Sequence, residues 1–274
     1  MNKKAKYKFL KKLLIIMVVV CYYYINNNQE SFSKKEEQKI EEKEYVKVST
    51  DLRIHFIDVG QADSILIKNK EYSMLIDAGN NADGPLLVKY LKEQNISKID
   101  YLIGTHPHED HIGGLDDIIN NFSIQNVYLP EVMTTTKTFE DVLDSIENNN
   151  LEITIPIIGD KFTLGELNFE VIYTGTEERD LNKSSIVLKM NFGNHSYLFT
   201  GDTTEEVEKT ILDKGLNIDI LKVAHHGSKY STCDEFLKIA TPSYAIISVG
   251  EYNSYNHPEP ETLTRLKQYT NNIY

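Results

Sequence analysis

The sequence predicts an α+β protein with an αββα sandwich, in which two β-sheets pack face to face and helices cover both outer faces. Two strand-rich halves of the chain, each followed by segments of helical periodicity, lead to this prediction. A third observation is the stretch YLIGTHPHEDHIGGL at residues 101–115, where a histidine-rich loop joins an apolar strand to a helix. We therefore expect a functional site at the sheet edges, where strand-to-helix loops gather.

The first half of the sandwich begins with three strands separated by short polar breaks, which is typical of an antiparallel meander. An amphipathic helix, the histidine-rich loop, a short strand and a second amphipathic helix follow. The predicted strands are 52–59, 64–68, 72–76, 101–103 and 127–129, and the predicted helices are 86–94 and 131–150.

The second half repeats this order, with Gly-Asp, Gly-Glu and Gly-Asn turns between several of its strands. The predicted strands are 151–158, 161–164, 167–173, 185–190, 196–200, 218–224 and 244–249, and the predicted helices are 203–212 and 261–269. Together the two halves form one domain over residues 48–274.

Four residues of metal-ligand type fall within six positions of the histidine-rich loop. Imidazoles two residues apart in an extended loop can bind one ion, and the adjacent Asp-His pair can reach a second ion. This is the pattern of a two-metal hydrolytic site, and its spacing excludes a helical H-E-x-x-H zinc site. The alternative is a polar loop whose histidines are merely exposed. The residues are His106, His108, Asp110 and His111.

The stretch THPHEDHIGG resembles the HxHxDH signature of the metallo-β-lactamase superfamily. Other motifs in matching order narrow the resemblance to the extracytoplasmic hydrolase domain of ComEC-type DNA-uptake (competence) proteins and their free-standing relatives, over residues 52–274. These motifs are HFIDVGQADS at 55–64, LIDAGN at 75–80, LFTGD at 198–202, LKVAHHGSKYS at 221–231 and YNHPEP at 255–260.

The resemblance extends the predicted site beyond the loop. Asp202 at a strand end would bridge two metal ions, although a helix N-cap is the alternative. His225 is our choice for a ligand of the second ion, and His226 is either a ligand or a proton carrier on the substrate side. His257 corresponds to a late histidine near the mouth of the site. Carboxylates of Asp58, Asp63 and Asp77 could orient ligand imidazoles, or serve only as turn residues.

The chain departs from lactamase-type members before the TGD motif, where they have a further histidine and this chain has Asn182, Ser184 and Ser185. The first ion would then be held by His106, His108, the shared Asp202 and water. Two divalent cations are expected, Zn²⁺ by resemblance or Mn²⁺ because the first site is rich in oxygen. His195 is predicted to lie on the surface.

The resemblance implies a metal-dependent hydrolase, most simply a phosphodiesterase or nuclease that acts on DNA outside the membrane. Asp110 would bind a metal and accept the hydrogen of the nucleophile, with His226 and His257 as candidate proton carriers. One alternative is a hydrolase of an envelope phosphoester, such as choline-bearing teichoic acid, or of a lactone or lactam. Another is a non-catalytic binding module, which the full ligand set argues against.

The first 47 residues differ in composition from the rest of the chain. Six lysines precede the apolar run at residues 13–25, so residues 1–25 are predicted to be a signal peptide or membrane anchor, and residues 26–47 a polar linker. The whole chain carries −12, residues 1–14 carry +6 and residues 15–47 carry −1, so residues 48–274 carry −17. This charge disfavours tight non-specific binding to duplex DNA.

Overall fold

A computed structural model describes residues 51–176 and 179–274. The predicted signal or anchor (residues 1–25) and linker (residues 26–47) lie outside the described residues. Within the described part, no helix is both long and apolar enough to cross a membrane. The predicted αββα sandwich is confirmed, because two six-stranded sheets are each covered by helices on one face.

The first sheet contains the antiparallel meander β1 to β3, followed by parallel strands in the order β1-β2-β3-β5-β7-β8. A separate pair, β4 and β6, forms a small parallel sheet. The strands are β1 (Leu52–Phe56), β2 (Ile65–Asn69), β3 (Tyr72–Ile76), β4 (Lys98–Ile99), β5 (Tyr101–Ile103), β6 (Ser123–Ile124), β7 (Val127–Tyr128) and β8 (Ile153–Thr154). The helices of this half are α1 (Gly84–Glu93), α2 (Glu109–Ile112), α3 (Leu115–Asn121) and α4 (Lys137–Asn148).

The second sheet has the order β14-β13-β12-β11-β10-β9, with parallel pairing among β12, β13 and β14 and antiparallel pairing elsewhere. The strands are β9 (Lys161–Leu164), β10 (Leu167–Tyr173), β11 (Val187–Phe192), β12 (His195–Phe199), β13 (Ile220–Lys222) and β14 (Tyr244–Ile246). The helices are α5 (Glu205–Thr210), α6 (Asp234–Ala240) and α7 (Pro260–Leu266).

Alternation of side chains along the strands creates three hydrophobic layers. On β2, Leu66 faces helices α1, α3 and α4, whereas Ile65 and Ile67 face the second sheet. On the second sheet, Val187 faces α6 and α7, whereas Leu188 packs against the first sheet. Because successive strand residues point to opposite faces, each sheet is apolar on both sides and is buried between two layers.

The parallel strands bring the predicted site residues to one edge. Asp77 and His106 follow β3 and β5 of the first sheet, and Asp202 and His226 follow β12 and β13 of the second. The sheets are linked there by a hydrogen bond from the Ile186 amide to the Thr105 carbonyl oxygen (2.9 Å). The carboxyl ends of strands from both sheets therefore meet at a single place, as expected for an α/β site.

Several predicted elements are shorter in the structure, and two of them have a local reason. The helix expected over 131–150 begins only at Lys137, because the hydroxyl oxygen of Thr136 accepts the Phe139 amide and caps the helix there. The strand expected over 151–158 pairs only at Ile153–Thr154, at the edge of the first sheet. A strand at the edge of a sheet pairs with at most one neighbouring strand. The apolar composition of residues 151–158 therefore predicted a longer strand than this edge position provides.

Glu208 on α5 is a buried carboxyl that joins α5 to the start of α6. Its oxygens accept the amides of Thr232 (2.6 Å) and Cys233 (2.8 Å). Burial raises the pKa of Glu208 to about 7, in spite of these hydrogen bonds and the nearby charge of Arg265. The folded protein therefore binds more protons at this carboxyl than the unfolded chain does between about pH 4.5 and pH 7.

This pKa predicts that Glu208 makes the protein less stable as the pH rises. Replacing it by glutamine keeps an acceptor but removes the ionisation, so E208Q should lose this pH dependence. Between pH 5 and pH 8 the free energy of unfolding of the wild type should fall by about 2 to 3 kcal/mol relative to E208Q. Urea denaturation of both proteins at the two pH values measures this, and an unchanged difference would contradict the buried, protonated carboxyl.

Candidate metal centre

The loop after β5 gathers four candidate ligands in one tight turn. His106 follows the strand, His108 caps α2, and Asp110 and His111 lie within that helix. Gly113 lies two residues after His111, and a Cβ atom at this glycine would be 2.2 Å from the Asn81 backbone nitrogen. The glycine is therefore required for α2 to pack against the chain segment after β3, which brings His111 next to Asp77.

The imidazole of His111 is completely buried and held by Asp77. Its Nδ1 lies 2.8 Å from Asp77 Oδ2, and the same carboxylate accepts the Thr105 amide (2.7 Å) and hydroxyl (2.8 Å). A proton on Nδ1 leaves the lone pair on Nε2, which is the arrangement of a metal-ligating histidine with a carboxylate behind it. Of the three aspartates expected to orient imidazoles, Asp77 makes this contact directly.

His226 is oriented in the same way by a backbone carbonyl. Its Nδ1 donates to the Ser248 oxygen (2.9 Å), so that Nε2 faces Asp110 Oδ2 at 3.3 Å and Asp202 Oδ2 at 3.5 Å. The chain after β13 makes a tight turn in which His225 and His226 have φ values of 51° and 53°. Left-handed backbone at two non-glycine residues is costly and is typical of a functional site.

Asp202 lies at the centre of these groups and is 2% exposed. Its backbone amide donates to the Ser185 hydroxyl (3.1 Å), which fixes the turn after β12. Its Oδ2 lies 3.3 Å from His111 Nε2. The carboxylate thus stands among imidazoles from both halves of the sandwich.

The chemistry of this cluster fits a metal ion. Asp110, His111, Asp202 and His226 each offer a ligand atom, and these atoms all lie within 4.8 Å of one another. Buried His111 Nε2, His226 Nε2 and Asp202 Oδ1 have no hydrogen-bond partner among the described residues, which is costly unless something else binds them. Ligand atoms that share a tetrahedral ion are about 3.3 to 3.6 Å apart, close to the N to O distances here.

The remaining two loop histidines form a second pair beside this cluster. His106 Nε2 lies 2.9 Å from His108 Nδ1, and the ring centroids of His106 and His111 are 4.1 Å apart. These two nitrogens could hold the first of two ions together with Asp202. The structure therefore contains a candidate two-metal site built from His106, His108, Asp110, His111, Asp202 and His226.

The protonation of the cluster follows from burial and mutual charge. Burial, followed by the neighbouring His111, lowers the pKa of His106 well below its usual value. Burial alone would raise the pKa of Asp202, but His111 and His226 outweigh it and hold this pKa well below normal. Burial alone would lower the pKa of His111, but Asp202 and Asp77 raise it well above normal. Metal binding at His111 must therefore displace a proton.

His225 was the first choice for the second ion, and the geometry favours His226 in its place. His225 Nε2 is 3.8 Å from Asp202 Oδ2 and 3.5 Å from the Asn182 amide nitrogen, and His225 lies outside the four-residue cluster. The reason is the left-handed backbone of the turn after β13, which points the side chains of His225 and His226 in different directions. Two adjacent histidines in the sequence do not reveal this backbone conformation. His195, predicted to be on the surface, is exposed at the start of β12.

A buried ion pair that the sequence did not predict lies behind the site. Lys222, at the end of β13, is 1% exposed and its ammonium group contacts Asp63. The Asp63 carboxylate also lies 3.7 Å from His226 Nδ1 and 3.9 Å from His111 Nδ1. The sequence does contain one indication of this pair, which is a lysine within an otherwise apolar strand. Because a buried charge requires a partner, this lysine predicts a nearby carboxylate. Asp58 is exposed and only accepts the Gly60 amide in a turn.

The cluster opens into a cavity of about 270 Å³. Asp110, Asp202 and His226 form its floor, and His257 lies on its wall, with ring centroids 5.6 Å from His225 and 6.4 Å from His226. Burial lowers the pKa of His257, with the two neighbouring imidazoles adding to the effect. The full lining is Gln61, His108, Glu109, Asp110, Asp202, His225, His226, Tyr255 and His257.

Comparison with known proteins decides the family. Residues 57–251 match the family model described as the metallo-beta-lactamase superfamily, and this span includes all six residues of the candidate two-metal site. The chain belongs to the metallo-β-lactamase superfamily. It is thus a member of a metal-dependent hydrolase family, as the motifs predicted.

The relatives include a competence protein, as the resemblance implied: Competence protein ComA of Neisseria gonorrhoeae is 25% identical over 77% of this chain and 29% of its own length. ComE operon protein 3 of Bacillus subtilis is 30% identical over 82% of this chain and 32% of its own length. Recombination protein 2 of Haemophilus influenzae is 28% identical over 79% of this chain and 26% of its own length. The chain therefore spans about a third or less of these relatives.

A solved structure supports the fold independently. The metallo-beta-lactamase fold protein YhfI from Bacillus subtilis superposes with a TM-score of 0.56 at 13% identity, covering 81% of this chain and 94% of YhfI. At this identity the similarity concerns the fold alone, which is that of the superfamily.

The geometry predicts different metal contents for two neighbouring histidine variants. H226A should lose about one equivalent of bound metal, because it removes a member of the buried cluster. H225A should retain more metal than H226A, and H195A, at an exposed strand end, should match the wild type. Metal analysis after equilibrium dialysis against Zn²⁺ or Mn²⁺ measures the stoichiometry. Loss in H225A with full retention in H226A would reverse the assignment.

Proposed function

We propose that this member of the superfamily is a metal-dependent phosphodiesterase that cleaves DNA. The observation that carries the proposal is the cluster of buried ligand atoms, several of which lack a hydrogen-bond partner among the residues that the structure describes, and which opens directly into a cavity. The similarity to a competence protein, together with motifs that resemble those of DNA-uptake proteins, supports DNA as the substrate.

Two divalent cations are proposed as cofactors, with Zn²⁺ favoured and Mn²⁺ as the alternative. Imidazole ligands suit zinc, whereas the carboxylates of Asp110 and Asp202 also suit manganese. Such ions would supply a hydroxide nucleophile at neutral pH and stabilise negative charge on the substrate. Reconstitution of metal-free protein with each ion, followed by rate measurements, distinguishes the two.

Asp110 is the proposed group that binds metal and orients the nucleophile. Burial alone would raise its pKa, but His226 and His111 outweigh this effect and lower it, so the carboxylate is ionised at neutral pH. Its side chain is 32% exposed, which leaves it accessible from the cavity. An ionised carboxylate facing the cavity can accept the hydrogen of an attacking water.

His257 is the proposed proton carrier on the leaving-group side. Its Nδ1 is buried without a hydrogen-bond partner in the described part of the chain, and its lowered pKa leaves most of the imidazole neutral at pH 7. To act as an acid, the neutral imidazole would first take up a proton from water in the cavity and then pass it to the leaving oxygen. His226, the other candidate proton carrier, is a member of the ligand cluster, so its Nε2 is proposed to bind metal.

Substitution at these two residues tests the mechanism. D110A removes a ligand and the group that orients the nucleophile, so kcat should fall by about two decades or more. H257A should lose more activity on a phosphodiester with a poor leaving group than on bis-p-nitrophenyl phosphate, whose leaving group needs no acid. Rates on both substrates, with H195A as the matched control, measure these effects.

The same assay separates the proposal from its alternatives. Purified protein is compared on single-stranded DNA, bis-p-nitrophenyl phosphate, p-nitrophenylphosphorylcholine and nitrocefin. Hydrolysis of the choline ester or nitrocefin without DNA cleavage would favour an envelope ester or a lactam. A metal-loaded protein inactive on every substrate would be a binding module, and an active D110A would overturn the catalytic assignment.

We further propose that the catalytic domain acts outside the cytoplasm, held at the membrane or released by export. The support is the six lysines followed by the apolar run at residues 13–25. A reporter that functions only after export should be active when fused after residue 47. Activity there from a reporter that functions only in the cytoplasm would contradict this location.

A further inference from the structure

The loop at residues 250–257, here called the rim loop, carries two exposed tyrosines. Tyr255 is 65% exposed and lines the same cavity as Asp110, Asp202 and His226. Tyr252 is 92% exposed and is absent from the cavity lining. A large exposed ring at the mouth of a catalytic cavity is typical of a ligand contact.

Tyr255 is the outer member of a series of nearly parallel rings. Its ring lies 5.7 Å from that of His257 at an interplanar angle of 24°, and His257 lies 6.4 Å from His226 at 22°. The series therefore runs from the ligand cluster to the surface. With His257 on one side and most of the ring exposed, Tyr255 offers a free aromatic face beside the reacting position.

The rim loop is held in place before any ligand binds. The Asn253 carboxamide accepts the amides of Tyr255 (3.1 Å) and His257 (3.0 Å), and donates to the carbonyl oxygens of Gly250 (2.8 Å) and His257 (2.6 Å). Gln61, itself in the cavity lining, accepts the Gly250 amide (3.1 Å). A loop ordered in advance loses little entropy when a ligand stacks on it.

We propose that Tyr255 is a stacking platform for a nucleobase adjacent to the scissile phosphate of a single-stranded nucleic acid. The inference rests on the proposed function and names the feature of the substrate that this part of the site recognises. Residues 48–274 carry −17, so phosphate contacts supply little affinity. Stacking on an aromatic ring needs no positive charge and accepts every base.

The size and shape of the site favour a flat ligand. A cavity of about 270 Å³ accommodates a nucleotide unit and not a duplex. A choline group, the headgroup of the envelope alternative, is bound by aromatic rings that surround it on several sides. Within residues 51–176 and 179–274, the ring contact of Tyr255 is with His257, so its open face suits a single planar group.

The test is a comparison of variants and substrates in the metal-loaded full chain. Y255A should lower kcat/KM for a thymidine dinucleotide about five- to hundredfold, mainly through KM, since stacking contributes binding. Y255F keeps the ring and should stay within about twofold of the wild type. Y252A, in the same loop but outside the cavity lining, is the matched control and should match the wild type. Thermal unfolding of each variant checks that the fold is retained.

Dinucleotide analogues that lack one base or the other identify the stacking partner. If Tyr255 stacks on a base, removing that base should lower wild-type kcat/KM as much as Y255A does, and Y255A should lose nothing further. Equal loss in Y255A on the dinucleotide and on both analogues would mean that the ring only supports His257, and would overturn the proposal. A loss confined to p-nitrophenylphosphorylcholine, or equal behaviour of Y255A and Y252A, would also overturn it.

One outcome concerns the proposed function itself. Wild-type protein that cleaves neither the dinucleotide nor its analogues, while hydrolysing another substrate, would overturn both the nuclease assignment and the platform. DNA cleavage by the wild type with normal kinetics in Y255A would leave the function standing and remove only the platform.

Discussion

The carboxylate of Asp202 is the group on which this site depends, because it is buried among imidazoles that come from opposite halves of the sandwich. His111 reaches it from the loop after β5, and His226 from the turn after β13. Several of the buried polar atoms at this junction have no hydrogen-bond partner in the described part of the chain, so the two sheets meet around an arrangement that is costly without a ligand. The free-energy cost of these buried polar atoms falls where strand ends from both sheets converge, and a bound cation would offset it.

A second set of contacts determines which atoms are available to that cation. Asp77 occupies Nδ1 of His111, and the Ser248 carbonyl occupies Nδ1 of His226, so each ring presents Nε2 to the cluster. The buried pair of Asp63 and Lys222 lies behind both rings and adds a carboxylate whose charge is neutralised within the protein. Ligand direction is thus set by residues that do not themselves face the cavity.

The cavity side of the site is organised differently from its floor. Its lining comes from loops of both halves of the chain, and around the ligand cluster it is aromatic and polar, in a domain of strongly negative charge. Such a surface can recognise a substrate through ring contacts while the floor performs the chemistry. Under the proposed function, this division would let a domain of negative charge bind a polyanionic substrate by stacking and not by charge attraction.

The amino-acid sequence alone was enough to predict the fold class and most of the candidate ligands, because strand alternation and the closely spaced His106, His108, Asp110 and His111 are local patterns. It could not choose between His225 and His226, since the choice depends on backbone angles in a turn whose φ values are positive at both residues. Nor could it pair Lys222 with Asp63 or place Tyr255 beside Asp110, because each pairing joins residues more than a hundred positions apart. Those decisions belong to the tertiary structure, in which two sheets bring distant strand ends to one edge.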